Sequence, residues 1–104
     1  MFKIGKSAQE NTLLVSSSRP KDVWFHVKDA PSAHLLYLND NEDDLKTLKS
    51  NGTIYKMALQ LKVSSAKFKK MQNVNVNYCF VDNVQVTETP GLVILSKKPS
   101  IITV

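Results

Sequence analysis

The run Val23-Trp24-Phe25-His26-Val27-Lys28 alternates two kinds of side chain without a break, and after Asp29-Ala30-Pro31 a second apolar run occupies residues 34–39. Successive strand residues point to opposite faces, so Val23, Phe25 and Val27 share one face and Trp24, His26 and Lys28 the other. The Asp-Ala-Pro turn joins the two runs as a β-hairpin with a loop of about five residues. Centring that loop on Ala30 puts Trp24 opposite Leu36 and His26 opposite His34. A chain built round this hairpin is committed to antiparallel pairing, with Val23, Phe25 and Val27 as core.

The flanking sequence supplies the other elements. Residues 2–5 read as an opening strand. Ser7-Ala8-Gln9-Glu10 is a capping box, a hydroxyl N-cap with a glutamate three positions on, so a short helix follows and ends in Ser16-Ser17-Ser18. Arg19-Pro20-Lys21 is a turn, because proline disfavours helix in the residue before it. Asn41 offers an N-cap, Glu42, Asp43 and Asp44 suit a helix's positive end, and Lys46 and Lys49 its negative end, which predicts a helix over 42–49. Asn51-Gly52 breaks it. Ile54, Met57, Ala58 and Leu61 then fall at i, i+3, i+4 and i+7, the chain's strongest amphipathic helix, over 54–63.

From Val74 the alternation returns, with Val74, Val76, Tyr78 and Phe80 on one face and Asn73, Asn75, Asn77 and Cys79 on the other. Pro90-Gly91 marks a turn, 92–95 a strand, 97–100 another turn and 101–104 a final strand. Helices grouped in mid-chain between strand hairpins argue for an α+β fold rather than a doubly wound one. The expectation is a single domain, residues 1–104, with a mainly antiparallel sheet of about five or six strands and two or three helices.

No apolar run reaches the roughly 20 residues of a membrane helix, and no apolar leader opens the chain, so neither membrane spanning nor secretion is expected. Cys79 is the only cysteine. It excludes an internal disulfide and suits a reducing compartment, which points to the cytoplasm. A formal net charge of +5 favours polyanionic partners. Lys67, Lys69 and Lys70 form the main basic cluster, read equally as solvated capping of the preceding helix or as phosphate contacts. Lys3, Lys6, Arg19 and Lys21 bracket the first helix and extend the field.

Enzymatic chemistry finds little support. Two histidines facing across a hairpin are metal-ligand types, but a third ligand is not placed by spacing: Asp29 and Cys79 are the only recruits, and no Cx2C or HxxxH pattern exists. There is no GxSxG elbow, and three scattered glycines cannot build a phosphate loop. No cofactor and no catalytic residue is expected. The stripe Trp24, His26 and Lys28 suits binding better, since rings stack on unpaired bases and lysine pairs with phosphate. Tryptophan, however, usually belongs to a core. If the helix over 54–63 packs on that side, Trp24 is buried and Lys28 and the histidines at the strand ends remain accessible; this is the picture favoured. Asn73, Asn75 and Asn77 are a solvated strand face or hydrogen-bond donors to a partner.

The segments "IGKSAQENTLL" and "RPKDVWFHVKDAPSAH" resemble the opening of the NFACT-R domain, whose pattern runs approximately G[RK]xxxxN[DE]xL and then R[PK]xDxWFHxKDxPGSH. "MALQLKVSSAKFKKMQNVNVNY" resembles that family's Ala- and Leu-rich helix and following VxVxY strand, and "PGLVILSKKPSIITV" its PGxVxxxxxxTxxV ending. The likeness covers essentially the whole chain. Departures are Lys6, Ser7, Thr12 and above all Ser32-Ala33, which replace the Gly-Ser before His34.

What the resemblance implies is a non-enzymatic nucleic-acid-binding module of the kind that, in large NFACT proteins, acts in ribosome-associated quality control on large ribosomal subunits and tRNA. The chain is similar in layout to short coiled-coil-domain relatives, without their coiled coil, and is expected to be a stand-alone R module. The expected partner is tRNA or rRNA; DNA satisfies a basic patch equally well. The expected contacts are Lys6, Asn11, Arg19, Trp24, His26, Lys28, Asp29, His34, Lys67, Lys69 and Lys70. A protein-docking module using the Asn-bearing strand or a free sheet edge is the second reading, and a metal-dependent nuclease-like enzyme round His26, His34 and Asp29 the third.

Overall fold

The computed structural model describes residues 1–104. Its central element is the hairpin, β2 (Val23–Val27) and β3 (His34–Tyr37), paired in the expected register with Trp24 opposite Leu36 and Phe25 opposite Leu35. β1 (Phe2–Gly5) pairs with the outer side of β3, while β4 (Asn75–Phe80) pairs with β2 and carries β7 (Ser100–Thr103) at the far edge. The sheet order is β1-β3-β2-β4-β7, antiparallel throughout. A separate two-stranded ribbon joins β5 (Val84–Val86) to β6 (Val93–Leu95). The residues of β5 give no strand signal of their own in the sequence.

Three α-helices cover the sheet: α1 (Ala8–Ser16), α2 (Leu45–Ser50) and α3 (Thr53–Val63). The capping box forms, with Glu10 N–H donating to Ser7 Oγ at 3.1 Å and Lys6 N–H to Glu10 Oε1 at 3.0 Å. α2 begins later than the acidic run predicts. Glu42 is held at φ 51, outside the helical region, because buried Asn39 grips Asp43 through both its amide oxygen and its amide nitrogen. Asp44, not Asn41, becomes the N-cap and accepts from Thr47 N–H at 2.7 Å.

Both faces of the sheet are buried. On one, Val23, Phe25, Val27, Leu35, Val76 and Tyr78 pack with Leu48 of α2, Ile54, Ala58 and Leu61 of α3, and Phe68. On the other, Trp24, Leu36 and Cys79 pack with Val15 of α1, Val81 and Val84. Trp24 is therefore buried, as favoured, but by different elements. α3 covers the Val23–Phe25–Val27 face, and the tryptophan lies beneath α1 and the β5–β6 ribbon. The physical reason is economy: the wide apolar stripe of α3 matches the more apolar face of the sheet. The Cα radius of gyration, 12.5 Å, is close to the roughly 13 Å of a compact unit of this length.

Candidate nucleic-acid interface

Alternation along β2 puts Trp24 and His26 on one face, and the hairpin register brings His34 beside them. The indole N–H of Trp24 donates to His34 Nδ1 at 3.1 Å. His26 lies parallel to the indole, 5.6 Å between centroids, and meets the His34 ring edge-on at 4.9 Å. An indole nitrogen can only donate, so His34 Nδ1 carries a lone pair and the neutral ring carries its proton on Nε2. Burial, then the neighbouring His26, pushes the His34 pKa down to about 4. Burial lowers His26 as well. At neutral pH the cluster is aromatic, polar and uncharged.

This cluster borders an open cleft of about 490 Å³ lined by Lys6, Ser7 and Asn11 at the start of α1, by Pro31 to His34, and by Pro90-Gly91. Asn11 bridges two of these walls: its Oδ1 accepts the backbone N–H of His34 at 3.4 Å. The approach is close enough that a Cβ on Gly5 would collide with that oxygen, so glycine is required there. The third wall comes from the ribbon. Gly91, at φ 81, donates its N–H to Thr12 Oγ1 at 2.8 Å, which clamps the Pro90-Gly91 turn onto α1. The sequence marks Pro90-Gly91 as a turn only; that it closes a cleft 79 positions from Thr12 is a tertiary fact. Ser32 fits without strain at the position where the resembled pattern has glycine, since it does not adopt a positive φ. The left-handed residue of the loop is Asp29, at φ 57, and the Ser32 hydroxyl accepts from Val27 N–H at 3.1 Å and donates to Ala33 O at 2.8 Å.

The remaining expected contacts lie apart from this cleft. Lys28 and Asp29 pair at 3.2 Å and line a smaller cleft with Phe68, Met71 and Asn73. Lys67 sits 5.4 Å over the Phe68 ring, so the 67–70 basic segment belongs with Lys28 rather than with the histidines. Arg19 is held by two carboxylates, Asp22 at 3.0 Å and Asp40 at 2.8 Å. Burial pushes the Asp22 carboxyl up, but hydrogen bonds from the Arg19 backbone and guanidinium and from Asn39 N–H outweigh it and hold the group below the ordinary carboxylate range. Lys6, Asn11, Trp24, His26 and His34 thus gather in one group, Lys28, Asp29 and the lysine segment in a second, and Arg19 serves the fold.

The Asn-bearing strand is less free than its alternation implies. Asn75 Oδ1 accepts from Thr103 Oγ1 at 2.6 Å, and Asn77 Oδ1 is sealed from solvent without a partner, directly across from His26. No three His, Cys, Asp or Glu side chains gather closely enough to hold a metal ion. Cys79 is buried, and burial raises its thiol to about 11, against the activation a nucleophile needs. No helix is long and apolar enough to cross a membrane.

A family model described as NFACT protein RNA binding domain matches residues 1–96. Coiled-coil domain-containing protein 25 of Mus musculus is 31% identical over 84 residues, taking in 81% of this chain and 40% of the relative. Its namesake of Bos taurus matches to the same extent. The chain therefore spans about 40% of the length of these relatives. Among solved structures, the C-terminal part of the fibronectin/fibrinogen-binding protein from Streptococcus suis shares the fold, with a TM-score of 0.77 at 22% identity over 99% of this chain and 39% of that one.

Proposed function

The chain belongs to the family of NFACT protein RNA-binding domains, and on that premise we propose that it is a non-enzymatic module that binds structured RNA, tRNA or rRNA, in the cytoplasm and in the setting of ribosome-associated quality control. The observation that carries the reading is the uncharged Trp24–His26–His34 cluster bordering a cleft entered past Lys6. The half-buried His26 ring and the polar groups of the cleft offer a stacking face and hydrogen bonds to nucleotides, while Lys6, Lys28, Lys67, Lys69 and Lys70 supply the cations that hold a phosphate backbone. The buried, unactivated Cys79 and the absence of a third metal-ligating group beside the histidines support binding over catalysis.

The test is a set of mobility shifts against tRNA, rRNA fragments and duplex DNA across a salt series. Binding to the RNAs should weaken steeply with salt, with log K falling by roughly 0.7 to 0.9 per phosphate contact per log unit. Lys6→Gln with Lys28→Gln should reduce both affinity and slope while leaving the melting temperature in place. Absence of binding to every RNA, or binding indifferent to salt, would overturn the reading. Preference for DNA would redirect it to the other backbone.

Docking on a ribosomal protein is a second reading, favoured by one observation: β7 is an edge strand whose outer side is unpaired. Its sequence, Ser-Ile-Ile-Thr, has no charge to discourage an added strand.

A further inference from the structure

We propose that the cleft between the start of α1, the 31–34 loop and the Pro90-Gly91 turn is a phosphate-binding site, in which the side-chain amide of Asn11 and the Nε2–H of His34 donate together to the oxygens of one RNA phosphate. The proposal rests on the RNA-binding reading and narrows it to a chemical group.

The argument begins with two side chains that are more than nine-tenths buried, Asn11 at 7% exposure and His34 at 2%. Each is engaged at one end. Asn11 Oδ1 accepts the His34 backbone N–H, which fixes the amide orientation because a backbone nitrogen can only donate. His34 Nδ1 accepts the Trp24 indole N–H, which fixes the ring tautomer. The opposite ends, Asn11 Nδ2 and His34 Nε2, are both obligate donors, and neither has a partner within the protein. Neither is sealed off, since Asn77 Oδ1 is the one sealed side-chain atom without a partner. Both residues line the same cleft. Two buried residues, each with one unpartnered donor, thus line one opening, and none of the side chains lining it is a carboxylate.

Two free donors in a lining without a carboxylate match an acceptor-only ligand. Phosphodiester oxygens accept and never donate at neutral pH, whereas a base edge presents donors and acceptors in mixed patterns. The surroundings agree. Lys6 supplies a cation at the rim, and the first backbone N–H groups of the nine-residue α1 open on the same side, where the helix dipole favours negative charge. Glu10, the acid of the first turn of α1, has its carboxylate occupied by Lys6 N–H and lines the neighbouring depression rather than this cleft. Because His34 is a neutral donor with a pKa near 4, its contact is a hydrogen bond of fixed direction and does not depend on a proton taken up at physiological pH.

The test uses the full chain, labelled with ¹⁵N, and follows the Asn11 amide pair and the His34 Nε2 resonance while the protein is titrated with inorganic phosphate, with cytidine, and with one single-stranded RNA bearing either a 5′-phosphate or a 5′-hydroxyl. The expected result is that both side-chain signals move with inorganic phosphate and with RNA and stay still with cytidine. Equal affinity for the two RNA ends assigns an internal phosphodiester; tighter binding of the phosphorylated end assigns a terminal phosphate. Either supports the site. Asn11→Asp keeps the acceptor for His34 N–H but replaces the donor with a carboxylate oxygen, and it should weaken RNA binding by about tenfold or more, with Trp24 fluorescence reporting an intact fold. RNA binding that leaves both wild-type resonances unmoved, or a cytidine response equal to that of phosphate, overturns the site while leaving the RNA-binding reading intact. Absence of any RNA binding removes both.

Discussion

Acidification should destabilise this protein from the inside, through His34. In the folded chain its imidazole is buried, accepts the Trp24 indole N–H and faces His26, and its pKa falls from 6.5 to about 4. The unfolded chain therefore binds a proton that the folded chain refuses, at every pH between those values. The His34 contribution to stability is fully present above pH 6.5, is lost as pH falls towards 4, and changes no further below it. At about 1.4 kcal/mol per pH unit the drop amounts to roughly 3 kcal/mol. That is a large part of the roughly 5–15 kcal/mol that holds a domain together. His26, also lowered by burial, adds in the same direction.

The assay is urea unfolding at pH values from 7.5 to 4, read by circular dichroism and by the fluorescence of Trp24, the only tryptophan in the chain. The control is His34→Gln, whose amide oxygen can still accept the indole N–H but cannot take up a proton. Wild type should lose roughly 3 kcal/mol across the window, and the variant should lose most of that slope, with His26 supplying the remainder. Asp22 does not confuse the comparison. Its carboxyl lies below the ordinary range, so its contribution is present above about pH 4 and is lost only as the pH falls further. Parallel profiles for wild type and His34→Gln would refute the reasoning, because they would mean that the buried ring and its indole partner do not control the transition.

Four further expectations can be checked alongside it. Asn77→Val removes a sealed amide oxygen that has no partner, so thermal unfolding should show a gain of about 1 kcal/mol. Gly91→Ala forces an L side chain into φ 81 with its Cβ 3.1 Å from Ala8; it should cost about 1–2 kcal/mol and weaken RNA binding, measured by anisotropy, as the third wall of the cleft shifts. Arg19→Met should lower the melting temperature while leaving RNA affinity nearly unchanged, because two carboxylates already occupy the guanidinium. Cys79, buried and with its thiol raised to about 11, should resist a disulfide reagent at pH 8 in the native state and react promptly in urea.

What the sequence disclosed follows the range of the interactions involved. The hairpin register was legible because alternation and a five-residue turn are both local, and they leave one pairing that keeps Val23, Phe25 and Val27 on a single face. The capping box of α1 was legible for the same reason. The start of α2 was not, because Asn39 reaches forward to Asp43 and holds the acidic run out of the helix. β5 was not, because three residues give too few alternations to register against a polar background. The cover over Trp24 was misassigned because both faces of the sheet needed one, and which helix goes where is decided only when the layers assemble.

The candidate site inherits this mixture. Lys6, Asn11, His26 and His34 are all named by the sequence, yet nothing local says that Asn11 Oδ1 meets the His34 backbone 23 positions away, or that Gly5 must stay bare for it to do so. The same contacts make core and site one object. The Trp24–His34 bond stabilises the second core and, by fixing the tautomer, also sets which atom His34 offers to the cleft. Variants at Trp24 or His34 will therefore change stability and binding together and cannot by themselves tell the two apart. Lys6 is exposed at the rim of the cleft, so changes there reach binding first. A loss of affinity at Lys6 with unaltered unfolding is the pattern that a ligand-facing cleft requires, and a purely structural polar cluster would not produce it.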